Sequence, residues 1–150
     1  MTTIAWDGHT LAADQASWSG GCKRRVRKVF RIAAADGQQF LVGFTGNGSF
    51  CMAVLAWMRG ERERPDALAF MPATELPNQC ALVIDEKRRP WLLGNELQYT
   101  LLRERVAAMG AGQDYAWGAL EAGATAVQAV RIAIKRSDWA GLGVDAVRFA

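Results

Sequence analysis

Apolar and polar residues alternate with period two through the first third of the chain, and turn residues punctuate the alternation. The segments "TTIAW" and "HTLAAD" flank Asp7-Gly8. A two-residue turn at that pair sets Trp6 against His9 and, counting outward, Thr2 across from Ala13. A second hairpin is read from "VRKVFRI" and "QFLVGFTG", joined through "AAADGQ". The period then changes. In "SFCMAVLAWMRGERER", Phe50, Val54, Trp57 and Met58 recur at helical spacing, which predicts a helix with a core-packing stripe and an end marked by Pro65. Beyond a loop holding Pro65, Pro72 and Pro77, "CALVID" and "RPWLLG" read as another hairpin across "EKR". Two helical patterns follow, "DYAWGALEAG" closed by Gly123 and "TAVQAVRIAIKR" opened by Thr125 as a cap, and "VDAVRFA" is a last strand. Strands, helix, strands, two helices and strand, in that order, imply sheet packed on sheet with helices outside. No linker, repeat or low-complexity segment divides the 150 residues, so one domain is expected.

One charge lies on the wrong face of this pattern. In "CKRRVRKVFRI", Arg25, Arg27, Val29 and Arg31 alternate to one side of a strand, and Val26, Lys28, Phe30 and Ile32 to the other. Lys28 is the only charge on the apolar side. Stripping water from an ammonium costs on the order of several kcal/mol unless something compensates it, so Lys28 calls for a partner or a purpose. Asp14 interrupts an apolar run in the same way, in "LAADQA", and the hairpin puts it at the same end of the sheet as the chain start. A carboxylate, a desolvated lysine and Thr2 converge if the Lys28 strand neighbours the first hairpin.

Composition narrows the chemistry. The net charge of +3 is mild and no apolar run approaches the roughly 20 residues of a membrane span. "MTTIAWDGHT" lacks the basic and apolar parts of a secretion signal, which points to the cytoplasm. Cys22, Cys51 and Cys80 are an odd number without a Cys-x-x-Cys pair, and neither a disulfide framework nor a zinc site is suggested. His9 is the only histidine. A two-histidine metal motif cannot be built, no Gly-x-Ser-x-Gly elbow accompanies His9, and an enzyme of this sequence would find its base elsewhere.

The chain start offers such a base. Met1 precedes Thr2, a small residue after which an initiator methionine is normally removed. Thr2 would then carry a hydroxyl and a free α-amine, whose ordinary pKa of about 7.7–8.0 leaves much of it neutral near pH 7. A threonine hydroxyl paired with its own amine is an established activated nucleophile. A neighbouring lysine favours the alkoxide, and a carboxylate keeps that lysine charged and oriented.

The residues at this point resemble the β-type subunits of the proteasome and the related bacterial peptidase HslV, threonine peptidases of the N-terminal-nucleophile hydrolase fold. "TTIAW", "LAADQ", "VRKVFRI", "FLVGFTGNGSF" and "AMGAGQDYAWGALEAG" carry the resemblance, in the family's order and over most of the chain. It implies a four-layer αββα sandwich of α+β class. It implies Thr2 as nucleophile, Lys28 as electrostatic activator, Asp14 as the residue that orients Lys28, and the Gly43 amide as oxyanion donor. By the same match Val26 and Thr45 line the pocket for the residue before the cleaved bond. The resemblance further implies stacked homo-oligomeric rings, an unfolded polypeptide substrate, a ring-shaped ATPase unfoldase as partner, and no metal or organic cofactor. Two departures stand out. Ala111 in "GAG" replaces the serine of the family's Gly-Ser-Gly, and Asp138, a supporting candidate, is followed by Gly141 where a serine is expected.

Two other readings remain open. Lacking that serine, the chain would be a catalytically silent subunit of the same fold. Alternatively "KRRVRK" is a phosphate-binding strip and the protein a nucleic-acid-binding module, a reading that leaves Lys28 on the opposite face unexplained.

Overall fold

The computed structural model describes residues 2–76 and 79–150; Met1 and Pro77, both invoked above, lie outside the described residues. Strand β1 (Thr3–Trp6) runs between β2 (Leu11–Asp14) and β10 (Ala107–Gly110), and β11 (Val144–Val147) pairs with β2 to complete a four-stranded antiparallel sheet. A second antiparallel sheet takes its five strands in chain order: β5 (Val29–Ala33), β6 (Gln39–Phe44), β7 (Gln79–Ile84), β8 (Pro90–Gly94) and β9 (Tyr99–Leu101). A small hairpin of β3 (Ala16–Ser19) and β4 (Cys22–Arg25) stands apart from both.

Period-two alternation decides the layering. Ile4, Trp6, Leu11, Ala13 and Met109 point inward from the first sheet and meet Val29, Leu41, Leu82 and Ile84 of the second, forming an entirely buried seam. The intervening Ala5, Ala12 and Ala108 point outward, and their small side chains let helices α2 (Gln113–Glu121) and α3 (Ala126–Arg136) lie close on the sheet through Ala116, Leu120, Ala129 and Val130. On the opposite side, Ile32, Val42 and Phe44 face helix α1 (Gly48–Met58), which supplies Phe50, Val54 and Met58. The order helix, sheet, sheet, helix is the four-layer αββα sandwich of α+β class. No helix among the described residues is long and apolar enough to cross a membrane.

The cap expected at Thr125 forms, and the end expected at Pro65 does not. Thr125 accepts the Gln128 amide while the Gln128 side chain accepts the Thr125 amide, a reciprocal cap at the start of α3. Helix α1 begins where the Asn47 side chain accepts the Phe50 amide. It stops at Met58, seven residues ahead of Pro65, because Gly60 at φ +77° turns the chain and donates its amide to the Trp57 carbonyl.

The first hairpin departs from the expected register. Trp6 pairs with Leu11, not His9, and Ile4 lies across from Ala13. Asp7 is the cause: its Oδ1 accepts the amides of both His9 (2.8 Å) and Thr10 (2.7 Å), making it the first residue of the turn and not a central one. Its other oxygen takes the Ala126 amide at 2.8 Å, so one aspartate shapes the hairpin and anchors α3. The resulting shift places Asp14 beside Thr3. The expected single strand over "CKRRVRKVFRI" is likewise divided. Cys22–Arg25 turns back on Ala16–Ser19 through Gly20-Gly21, and regular pairing resumes only at Val29.

Gly43 is held inside the second sheet between Val29 and Leu82. A Cβ there would come 2.8 Å from Ile4 Cγ2, so the two sheets approach closely because this residue has no side chain. Gly43→Ala is therefore expected to destabilise the fold by about 1–3 kcal/mol through overpacking, seen as a lowered urea midpoint in equilibrium unfolding. An unchanged midpoint would contradict the close packing at that point.

Candidate active site

The candidate centre grows from one buried carboxylate. Asp14, the last residue of β2, is completely inaccessible to solvent. Its Oδ1 accepts the Thr3 amide at 2.9 Å and the Lys28 ammonium at 3.0 Å. Its Oδ2 accepts the Gly141 amide at 3.1 Å and the Ala16 amide at 3.3 Å. The charge thus loses its water but gains a donor from each of four chain segments, which is what makes its burial tolerable.

Lys28 comes to that carboxylate from the residue preceding β5, where its carbonyl accepts the Phe44 amide at 2.9 Å and continues the ladder of the second sheet. It is 7 % exposed. Burial draws its ammonium below the ordinary lysine range, and the charge and hydrogen bond of Asp14 oppose that pull. The ion pair joins the two sheets at the end where the chain begins.

Thr2 is 4 % exposed and lies directly ahead of β1. The turn from β10 into α2 presses against it. A Cβ on Gly110 would fall 2.1 Å from the Thr2 carbonyl oxygen, and one on Gly112 would fall 1.9 Å from Thr3 Oγ1. Only glycine on each side of Ala111 allows that approach, and Gly112 uses it to donate its amide to the Thr2 carbonyl at 3.3 Å.

Thr2 and Lys28 open together into a cleft of about 560 Å³. Val26 and Thr45 line it, as do Trp18 from β3 and Met52 from α1. Val26, Trp18 and Met52 are exposed apolar side chains, so the walls suit an apolar group while the inner end holds a hydroxyl and a cation. Cys51 lies on the same wall, with its thiol donating to the Thr45 carbonyl at 3.3 Å and pushed up to about 12 by burial. It is an unreactive thiol at neutral pH.

Of the residues singled out in the sequence, the structure brings together Thr2, Asp14, Lys28, Val26 and Thr45. It leaves three outside. Gly43 is walled in between the sheets and does not line the cleft; the glycine that does is Gly46, in the turn between β6 and α1 at φ +98°, whose amide has no hydrogen-bond partner among the described residues. Ala111 is exposed at its turn, behind the Thr2 backbone. Asp138 is exposed after α3 and makes no hydrogen bond or ion pair among the described residues. The nearby group that does reach the centre is the Gly141 amide, which side-chain patterns could not disclose because a backbone donor has no residue signature. Among the described residues, no group of three or more His, Cys, Asp or Glu is placed to hold a metal ion.

No protein-family model matches the chain, and no curated protein does. Solved structures do. Thiobacillus denitrificans BPH is similar with a TM-score of 0.69 and 20 % identity over 99 % of this chain and 96 % of that one. HslV from Trypanosoma brucei gives 0.65 and 16 % over 98 % of each. Anbu, an ancestral β-subunit from Yersinia bercovieri, gives 0.67 and 10 % over 99 % of this chain and 82 % of that one. The shared property is the proteasome-like sandwich fold, as the sequence resemblance implies.

The carboxylate and ammonium contribute unequally to stability. Lys28→Met removes one partner of the buried pair and is expected to cost about 3–5 kcal/mol. Asp14→Ala takes the carboxylate from the ammonium and from three amides at once and should cost more. Denaturant midpoints should fall in the order wild type, Lys28→Met, Asp14→Ala; the reverse order would show that Asp14 is not the hub.

Proposed function

We propose that the chain is the subunit of a threonine-type peptidase, acting through Thr2 once Met1 has been removed. The observation that carries this reading is the buried Asp14–Lys28 pair at the inner end of a cleft that Thr2 also lines, with Asp14 bonded to the very next amide, that of Thr3. A buried ion pair between sheets is costly to a fold that needs only stability, because apolar residues of similar size would serve as well. It is suited to a site that must hold a cation beside a hydroxyl.

In this mechanism the α-amine of Thr2 takes the proton from its own hydroxyl, and Oγ1 attacks the peptide carbonyl carbon. Lys28 stabilises the developing negative charge on Oγ1, and Asp14 fixes the ammonium in place. The carbonyl electrons move to oxygen, and that oxyanion meets the free Gly46 amide, a role moved from Gly43, which lies inside the sheet. A donor of this kind is worth about 2.7–4 kcal/mol of barrier. Collapse of the tetrahedral intermediate expels the amine half of the peptide with the proton held on the Thr2 nitrogen and leaves an ester on Thr2. Water then adds to the ester, returns a proton to Oγ1 and releases the acid half. The cleft walls favour an apolar side chain before the cleaved bond. No metal or organic cofactor enters these steps.

By the resemblance, copies of the chain stack as homo-oligomeric rings enclosing the sites, and a ring-shaped ATPase unfoldase delivers unfolded polypeptide in the cytoplasm. One of the similar structures is of Thiobacillus denitrificans BPH in complex with epoxomicin, which makes that compound the natural first probe. A second reading, a silent subunit of the same fold, is favoured by one observation: Ala111 offers no hydroxyl at the turn behind Thr2.

Intact-mass analysis of the Met1-free chain after incubation with epoxomicin or another peptide epoxyketone separates the two. One adduct per chain on Thr2, absent in Thr2→Ala, is the expected result. A fully processed chain that takes no adduct is the silent subunit. Peptidase activity that survives Thr2→Ala at the wild-type rate overturns the mechanism. Lys28→Met in the same assay should lower turnover at least about a hundredfold, while Ala111→Ser should raise it.

A further inference from the structure

Four arginines from three separate stretches of the chain converge on one hollow that the proposed reaction does not use. Arg27 precedes β5, Arg31 lies within it, Arg59 caps the C-terminal end of α1, and Arg148 follows β11. Together with Phe30 and Val147 they line a concavity of about 370 Å³. All four are exposed, and none makes an ion pair among the described residues, where the two salt bridges are Lys28 with Asp14 and Arg89 with Asp85. Arg27 is steered by the Phe30 ring, its guanidinium 5.9 Å from the centroid.

The electrostatics of this arrangement are one-sided. A sphere of the hollow's volume is about 9 Å across, within the ~8–10 Å over which physiological salt screens charges. Four cations therefore repel one another there, with no acidic side chain in the lining to relieve them. Guanidinium groups also present paired donors in a planar fork matched to phosphate and carboxylate oxygens. A single carboxylate would neutralise one charge of the four. A linked chain of phosphates would meet all of them.

We infer that this hollow is a binding site for a small polyphosphate anion, either inorganic polyphosphate or the phosphate chain of a nucleotide. The inference is independent of the peptidase reading. It adds a connection to it, since Arg27 lines both the hollow and the candidate cleft, and an anion that draws Arg27 toward the hollow changes the rim of the other site.

Titration calorimetry of the full chain with tripolyphosphate is the direct test, with ATP as the second arm to distinguish the sources. One site per chain is expected, with affinity falling steeply as salt rises. Alanine at any one of the four arginines should weaken binding about tenfold, and Arg31→Ala with Arg59→Ala about a hundredfold. Arg103→Ala, an exposed arginine outside the hollow, should leave binding unchanged. Thr2→Ala should bind as wild type does, which keeps this result separate from the fate of the peptidase mechanism. ATP bound more tightly than tripolyphosphate assigns the site to a nucleotide, and the converse to inorganic polyphosphate. No saturable binding at low salt, binding indifferent to all four substitutions, hexaglutamate bound as tightly as tripolyphosphate, or a single-stranded oligonucleotide bound tenfold more tightly would each overturn it.

Discussion

The Asp14 carboxylate is the constraint on which the rest depends. A charge with no solvent contact is tolerated only when its oxygens are saturated, and Asp14 reaches that condition by drawing donors from Thr3, Ala16, Lys28 and Gly141. These groups come from the start of the chain, the β2–β3 junction, the entry to β5 and the approach to β11. Until all four segments are in place the carboxylate is under-bonded, so the centre is completed by the finished fold and not by any one element. One interaction thereby couples the two sheets, holds the first strand in register and sets the place of the only buried cation among the described residues.

A second constraint acts from the other side of the first strand. Thr3 lies between Asp14, which takes its amide, and Gly112, whose missing side chain leaves room for its hydroxyl. Gly110 does the same for the Thr2 carbonyl. Thr2 and Thr3 are thus held by a carboxylate on one side and by two close glycine approaches on the other. This kind of rigidity, bought with buried charge and glycine, is of little use to a sandwich whose apolar seam is already complete.

The layer order, the helices, the end of α2 and the start of α3 were legible because they rest on periodicity and on residues with one dominant local role, such as Thr125 and Gly123. The pairing of Lys28 with Asp14 was legible for a related reason: each is a charge interrupting an apolar run, and such interruptions must find each other. What escaped depended on the backbone. The Asp7 turn was misjudged by two residues of register because Asp7-Gly8 suits two kinds of turn, and the choice is made by where the Asp7 oxygens find donors, one of them in α3. The short hairpin at Gly20-Gly21 was visible as paired glycines, yet the arginine-rich alternation running through it looked like one strand. Gly43 and Gly46 both fall in "QFLVGFTG", read as one strand, and only the third dimension separates the one that spaces two sheets from the one that borders the cleft.

The basic run "KRRVRK" shows how much a single division in a strand changes meaning. On one continuous strand its cations would form a strip, the arrangement a nucleic-acid backbone would recognise. Instead Lys23 stacks on Trp18, Arg24 bonds to Ser19, Arg25 bonds to Gln15, and Lys28 turns inward to Asp14. These four charges are thereby engaged within the chain, and Arg27 lies over the Phe30 ring. Arg27 alone of the run points into the arginine hollow, where its companions come from β5, the end of α1 and the chain's last residues. A charge pattern that is linear in sequence is therefore dispersed in space, and the hollow is assembled from Arg27 and Arg31, which the alternation set on one face, together with Arg59 and Arg148, whose sequence positions never suggested it.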